Sequence, residues 1–153
     1  MTRILFVCHG NICRSPMAEF IFKDMVQKRG LQKYYEIDSA ATSMEETGNP
    51  IYYLAKAKLR EKGIPFTEHY AHQVRKGDYD RYDYIILMDR MNIRWLNRII
   101  PKDPYGKIRL LLETRTIEDP WYTRDFETAY LDIVEGCELL LEEMEKERLS
   151  GIG

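Results

Sequence analysis

The chain has 153 residues, 44% hydrophobic and 31% charged, with a formal net charge of −2, which fits one globular domain with a real core and excludes a disordered chain. No apolar run approaches the roughly 18 residues that span a membrane, the N-terminal run breaks into polar residues after Val7 rather than continuing as a signal peptide, and no dense basic stripe points to nucleic acid. A cytoplasmic protein is expected, with no membrane and no nucleic acid among its partners. Charge is uneven: residues 1–112 carry 19 basic and 13 acidic side chains, residues 113–153 carry 4 and 12. The basic part mildly favours an anionic substrate, and the acidic part is mostly one solvated helix face. Three cysteines, Cys8, Cys13 and Cys137, do not make a disulfide framework. Cys8, His9 and Cys13 lack the paired spacing of a zinc site, so no metal is expected.

The predicted elements alternate between strand and helix. Arg3 to Val7 reads as a strand covered on both faces. Pro16 opens a helix with Ser15 as its N-cap, the stripe Met17, Ala18, Ile21, Phe22, Met25 and Val26 as its inner face, and Gly30 as its end. Tyr35 to Ala41 is a second strand, and Met44 to Pro50 is a turn-rich loop. Ile51 to Lys62 is helical and closes at Gly63 and Pro65. Tyr82 to Asp89 is the strongest central strand, Met91 to Ile100 a helix stopped by Pro101, and Lys107 to Leu112 the fourth strand. Glu118 to Asp125 reads as a loop. The last helix shows one stripe of Phe126, Ala129, Tyr130, Ile133, Val134, Cys137, Leu140, Leu141 and Met144, which places Cys137 in the core. The pattern predicts an α/β fold: a single-domain three-layer sandwich over residues 1–153, with a four-stranded parallel sheet flanked by helices and a phosphate-binding loop after the first strand.

That loop, Cys8-His9-Gly10-Asn11-Ile12-Cys13-Arg14, carries the chemistry. A strand-to-helix loop aims successive backbone N–H groups at one point and adds the helix dipole, which makes an anion site. Gly10 permits a turn, Asn11 tolerates a left-handed conformation, and Arg14 brings a planar fork for two phosphate oxygens. Cys8 lies beneath, where the same field favours its thiolate. Five residues between Cys8 and Arg14 wrap one tetrahedral anion, and a thiolate so placed attacks phosphorus. No G-K-[ST] of a nucleotide-binding loop occurs. The leaving oxygen needs an acid, and Asp119 in "EDPWY" is the candidate; Trp121 and Tyr122 wall a slot for an aryl group. Cys13 either lines the loop or acts as a reversible redox partner of Cys8. His9 either tunes Cys8 or points to solvent.

"FVCHGNICRSPMAE" and "EDPWY", with "DSAATS" and "DYIILMDRMN" between them, resemble the low-molecular-weight protein tyrosine phosphatases over nearly the whole chain. The resemblance implies Cys8 as nucleophile, Arg14 as phosphate and transition-state ligand, and Asp119 as acid and then base. It implies that Ser15 hydrogen-bonds Cys8, that Asn11 holds the loop through Ser39 and His69, and that Trp121 and Tyr122 flank the substrate ring opposite Ile12. Residues His9 to Arg14 form the substrate loop, and no cofactor or metal is required. Implied partners are phosphotyrosine-containing proteins and inorganic phosphate or other oxyanions. The chain departs from the family pattern at His72, where arginine is usual, at Glu45 and Glu46, where many relatives carry a tryptophan at the pocket rim, and at Trp121, more often tyrosine. Acidic residues at that rim disfavour acidic sequence beside the phosphotyrosine.

Three other readings compete. An arsenate reductase of this fold uses further cysteines in a mobile segment of its second half, and residues 15–136 contain none. A protein arginine phosphatase carries threonine where Ile12 stands. A phosphotyrosine-binding module needs neither Cys8 nor Asp119. A monomer or a weak dimer is expected, with Tyr34, Tyr35 and Tyr105 as candidates for self-contact.

Overall fold

The computed structural model describes residues 1–152. Four strands, β1 (Thr2–Cys8), β2 (Tyr35–Ala41), β3 (Tyr84–Leu87) and β4 (Ile108–Leu110), form one all-parallel sheet in the order β2-β1-β3-β4. Six helices surround it: α1 (Arg14–Lys28), α2 (Tyr53–Glu61), α3 (Asp78–Arg81), α4 (Arg90–Leu96), α5 (Pro120–Thr123) and α6 (Phe126–Ile152). No helix among the described residues is long and apolar enough to cross a membrane.

The uninterrupted apolar run of β1 is explained by its central place. Ile4 and Phe6 face a core built with Met17, Ile21, Phe22, Ile133 and Cys137, while Leu5 and Val7 face a second core with Ile85, Leu87, Leu96 and Ile100. Alternate side chains of one strand are thus buried on opposite faces, giving the three layers expected. The α6 stripe is buried at Phe126, Ala129, Ile133, Cys137, Leu140, Leu141 and Met144, with Tyr130 and Val134 half-buried against it.

Several local expectations are corrected. The first helix starts at Arg14, with Cys13 as its N-cap residue and no side-chain cap. Ser15 therefore lies inside the first turn, where its hydroxyl is free for other work. The Glu118–Asp125 segment contains α5, because the Asp119 side chain accepts from the Trp121 N–H and caps a turn that Pro120 starts. The short helix α3 and a 3-10 turn at Gln32–Tyr34 were not foreseen. Tyr35 is buried, so it offers no surface for self-contact.

Tyr35 instead ties β2 to α6. Its hydroxyl donates to Glu145 at 2.5 Å, and Arg148 holds both carboxylate oxygens at 2.8 Å. The bonds from Arg148 depress the Glu145 carboxyl from about 4.5 to about 2, against the opposing effect of burial and with help from Tyr35. A depressed carboxyl stabilises the fold above its unfolded value and loses that contribution as pH falls through the folded one. Stability is therefore expected to drop between pH 4.5 and 2. Glu145→Gln is expected to cost about 1–3 kcal/mol at neutral pH and to flatten that acid limb, as read by thermal melts across the pH range.

Candidate active site

β1 delivers Cys8 to the carboxyl end of the central strand, and the chain turns there through residues 9–13 into α1. The loop is pinned from outside by backbone bonds: Thr42 N–H donates to the Cys8 carbonyl at 2.9 Å, Ser43 N–H to that of His9 at 3.1 Å, and Tyr52 N–H to that of Ile12 at 2.9 Å. Asn11 takes the left-handed conformation at φ 61°. Gly10 does not; it is suited to its place by space instead, since a Cβ there would approach Glu46 Cγ to 3.3 Å.

Two backbone donors and one hydroxyl converge on the Cys8 sulfur. Asn11 N–H lies at 3.3 Å, Ser15 N–H at 3.4 Å and the Ser15 hydroxyl at 3.0 Å. The hydroxyl is oriented from behind. Asn11 Nδ2 donates to Ser15 Oγ at 2.8 Å and to Ser39 Oγ at 3.1 Å, and Ser39 donates to Glu19 Oε1 at 2.6 Å. His69 Nε2 lies 2.8 Å from Asn11 Oδ1. Burial lowers the His69 pKa against the pull of Glu19 and Asp38, and because Asn11 Nδ2 donates to the two serines, His69 Nε2 donates to Asn11 Oδ1 and completes the network.

Glu19, Asp38 and His69 also bring ligand-type atoms within 4.8 Å of one another. Those atoms are already engaged: Glu19 by Ser39 and Lys23, Asp38 by Ser39 N–H, His69 by Asn11. The cluster supports the loop.

Arg14 is buried beside the sulfur. One terminal nitrogen donates to Asp89 at 2.6 Å and to the Ile117 carbonyl at 2.9 Å, and the other faces Asp119 at 3.4 Å. Its Nε is buried and has no partner among the described residues. Burial opposes the guanidinium charge, yet Cys8, Asp119 and Asp89 together outweigh it and raise the Arg14 pKa. Asp89 is held by a capping box at the start of α4.

The pocket is lined by residues 8–14, Glu45, Glu46, Asp119, Trp121 and Tyr122. Every loop residue named from the sequence, with Asp119, Trp121 and Tyr122, therefore borders one cavity, and Ser15, Ser39 and His69 lie behind it. Trp121 leans on Tyr52 at 4.7 Å between centroids, and Arg124, itself left-handed at φ 63°, bonds both Trp121 O and Tyr52 Oη. His9 meets Glu45 at 3.0 Å at the pocket mouth. The His72 ring is exposed, and only its backbone N–H reaches Asn11 Oδ1, at 3.4 Å. Cys13 is buried; burial first, then the neighbouring Cys8, pushes its thiol up. Sequence reasoning missed Asp89, Glu19, Tyr52 and Arg124. A D-R dipeptide ending a strand was the only mark of Asp89.

A parallel α/β sheet with an anion cup at the end of its first strand, and a cysteine at the base of that cup, defines a phosphate-handling protein. The family model described as low molecular weight phosphotyrosine protein phosphatase matches residues 3–150. The human low molecular weight phosphotyrosine protein phosphatase is 43% identical over 148 residues, covering 91% of this chain and 93% of its own. The crystal structure of YfkJ from Bacillus subtilis superposes with a TM-score of 0.91 at 41% identity, covering 96% of each chain. A Drosophila arginine phosphatase superposes at 0.83 with 34% identity, covering 94% of this chain and 98% of its own. The chain belongs to the low molecular weight phosphotyrosine protein phosphatase family. It is a protein tyrosine phosphatase, a hydrolase.

Asp89→Asn keeps a capping side chain on α4 but removes the charge that fixes Arg14. The expected result is roughly tenfold weaker inhibition by inorganic phosphate together with a lower melting temperature, because a buried cation loses one of its carboxylates, measured by competition assay and calorimetry.

Proposed function

We propose that the chain hydrolyses phosphotyrosine in proteins, and small aryl phosphates, through a cysteinyl-phosphate intermediate. The observation that carries this reading is the Cys8 sulfur under two backbone N–H donors and against the Ser15 hydroxyl, beside a buried Arg14 whose Nε has no partner among the described residues. Loop amides, Arg14 Nε and the Arg14 terminal nitrogen facing Asp119 are the donors for the equatorial oxygens of the transferring phosphoryl group.

In the first step the Cys8 thiolate attacks phosphorus, the bond from phosphorus to the tyrosine oxygen breaks, and the Asp119 carboxylic acid protonates the departing phenolate. In the second, the Asp119 carboxylate takes a proton from water as that water attacks phosphorus. The S–P bond breaks, inorganic phosphate leaves, and the Ser15 hydroxyl donates to the released sulfur. Asp119 is suited to both steps because its cap bond uses Oδ1 while Oδ2 faces the pocket and Arg14.

The similarity to an arginine phosphatase raises phosphoarginine as a second substrate. Ile12 gives the pocket wall branched apolar surface, which packs on a phenyl ring and crowds a guanidino group. The expected preference is for phosphotyrosine, and Ile12→Thr is expected to narrow the ratio of the two kcat/KM values.

Cys8→Ser is expected to abolish p-nitrophenyl phosphate hydrolysis, while Asp119→Ala is expected to lower kcat by about 100-fold or more on phosphotyrosine peptides and to retain bound phosphoprotein in a pulldown. Equal activity in wild type and both variants overturns the reading.

A further inference from the structure

A second hollow opens beside the phosphate pocket, and Glu45 lines both. The phosphate pocket offers about 50 Å³ and the second hollow about 470 Å³. His9 is the partition. Its Nε2 meets Glu45 Oε2 at 3.0 Å, and its ring stands edge-on to Trp95 with centroids 5.5 Å apart. Trp95 comes from α4, Met44 from the loop after β2, and Ile99 from the turn after α4; together they give the hollow its apolar surface. Met44 is 71% exposed and Trp95 half-buried. Arg98 lies over the Trp95 ring at 4.7 Å. Thr42 also lines the hollow, and its buried hydroxyl has no partner among the described residues.

A phosphotyrosine that fills the small pocket leaves its neighbours in the chain at the rim. Two charges there are already occupied: Glu45 is turned to His9, and Arg98 is spread on an indole face. What stays open on that side is the apolar surface of Met44, Trp95 and Ile99, which adjoins the pocket mouth across Glu45. Covering it with an apolar side chain is favourable, whereas a polar one gains little from it. We propose that this hollow is a binding subsite for a large apolar residue flanking the phosphotyrosine of the substrate protein, with the His9–Glu45 pair dividing it from the phosphate pocket. The inference rests on the phosphatase reading above and adds a substrate preference to it.

The test uses phosphotyrosine peptides that differ in one residue, leucine, serine or glutamate, placed before or after the phosphotyrosine. Wild-type kcat/KM is expected to favour leucine over serine about tenfold on one side. Met44→Ser, a change at an exposed position that leaves the core intact, and Trp95→Ala are each expected to bring that ratio to within about twofold. The same peptides are titrated calorimetrically onto Cys8→Ser protein, which reads the hollow without turnover. Absence of p-nitrophenyl phosphate hydrolysis by wild type overturns the phosphatase reading, and the Kd ratio on Cys8→Ser then decides the subsite alone. Equal use of leucine and serine, a preference for glutamate drawn by Arg98, or a leucine preference that survives both substitutions overturns the subsite. So does concentration-dependent dimerisation that Trp95→Ala abolishes, because the hollow would then be covered by a second copy.

Discussion

The sulfur of Cys8 receives hydrogen bonds from Asn11 N–H and Ser15 N–H and lies 3.0 Å from the Ser15 hydroxyl, and most of the site follows from keeping those groups aimed. Asn11 contributes a main-chain donor only because it adopts φ 61°, and its own side chain rewards that conformation by bonding Ser15, Ser39 and His69. Strand β1 brings the sulfur, α1 brings Ser15, β2 brings Ser39, and Glu19 accepts from Ser39 on the buried side. The loop is thus an assembly of several elements, in which the buried side chains of Asn11, Ser15 and Ser39 are partnered by one another, while Arg14 Nε stays buried without a partner among the described residues.

Arg14 answers a second problem, that of keeping a cation buried. Asp89 and the Ile117 carbonyl fix one nitrogen and Asp119 faces the other, so the guanidinium plane is set before any anion arrives. Its positive charge is held by two carboxylates and the Cys8 sulfur, which together overcome the cost of burial. The base of the pocket is accordingly buried and held by several bonds. At its rim, by contrast, Trp121, Tyr122 and Glu45 are exposed.

Much of this was legible in the residues. β2 was read to its true ends, because Tyr35 to Ala41 is bounded by turn residues, and the parallel sheet followed from the alternation of strand and helix. Cys8, Arg14 and Asp119 were expected to meet at one site, from the loop spacing and the family resemblance taken together, and they border one pocket. The first helix was started late because Ser15 looks like a cap; its hydroxyl serves the sulfur instead, a choice that only the three-dimensional approach of Cys8 dictates. α5 was read as a loop because four residues leave no periodicity, although Asp119 and Pro120 are a capping pair. Asp89, Tyr52 and Arg124 were missed for a common reason: each acts on a residue distant in sequence, and nothing local marks that partnership.

Helix α6 packs along α1, with Cys137 near the Ala18 carbonyl, and so seals the element into which the loop runs. During synthesis residues 8–15 leave the ribosome early, while Asp89, Asp119 and α6 follow later. A nascent chain therefore carries the thiol and the guanidinium long before either has its acceptors, its acid or its roof. Helix α1 gains the apolar cover that α6 supplies only after every residue of the loop has been made.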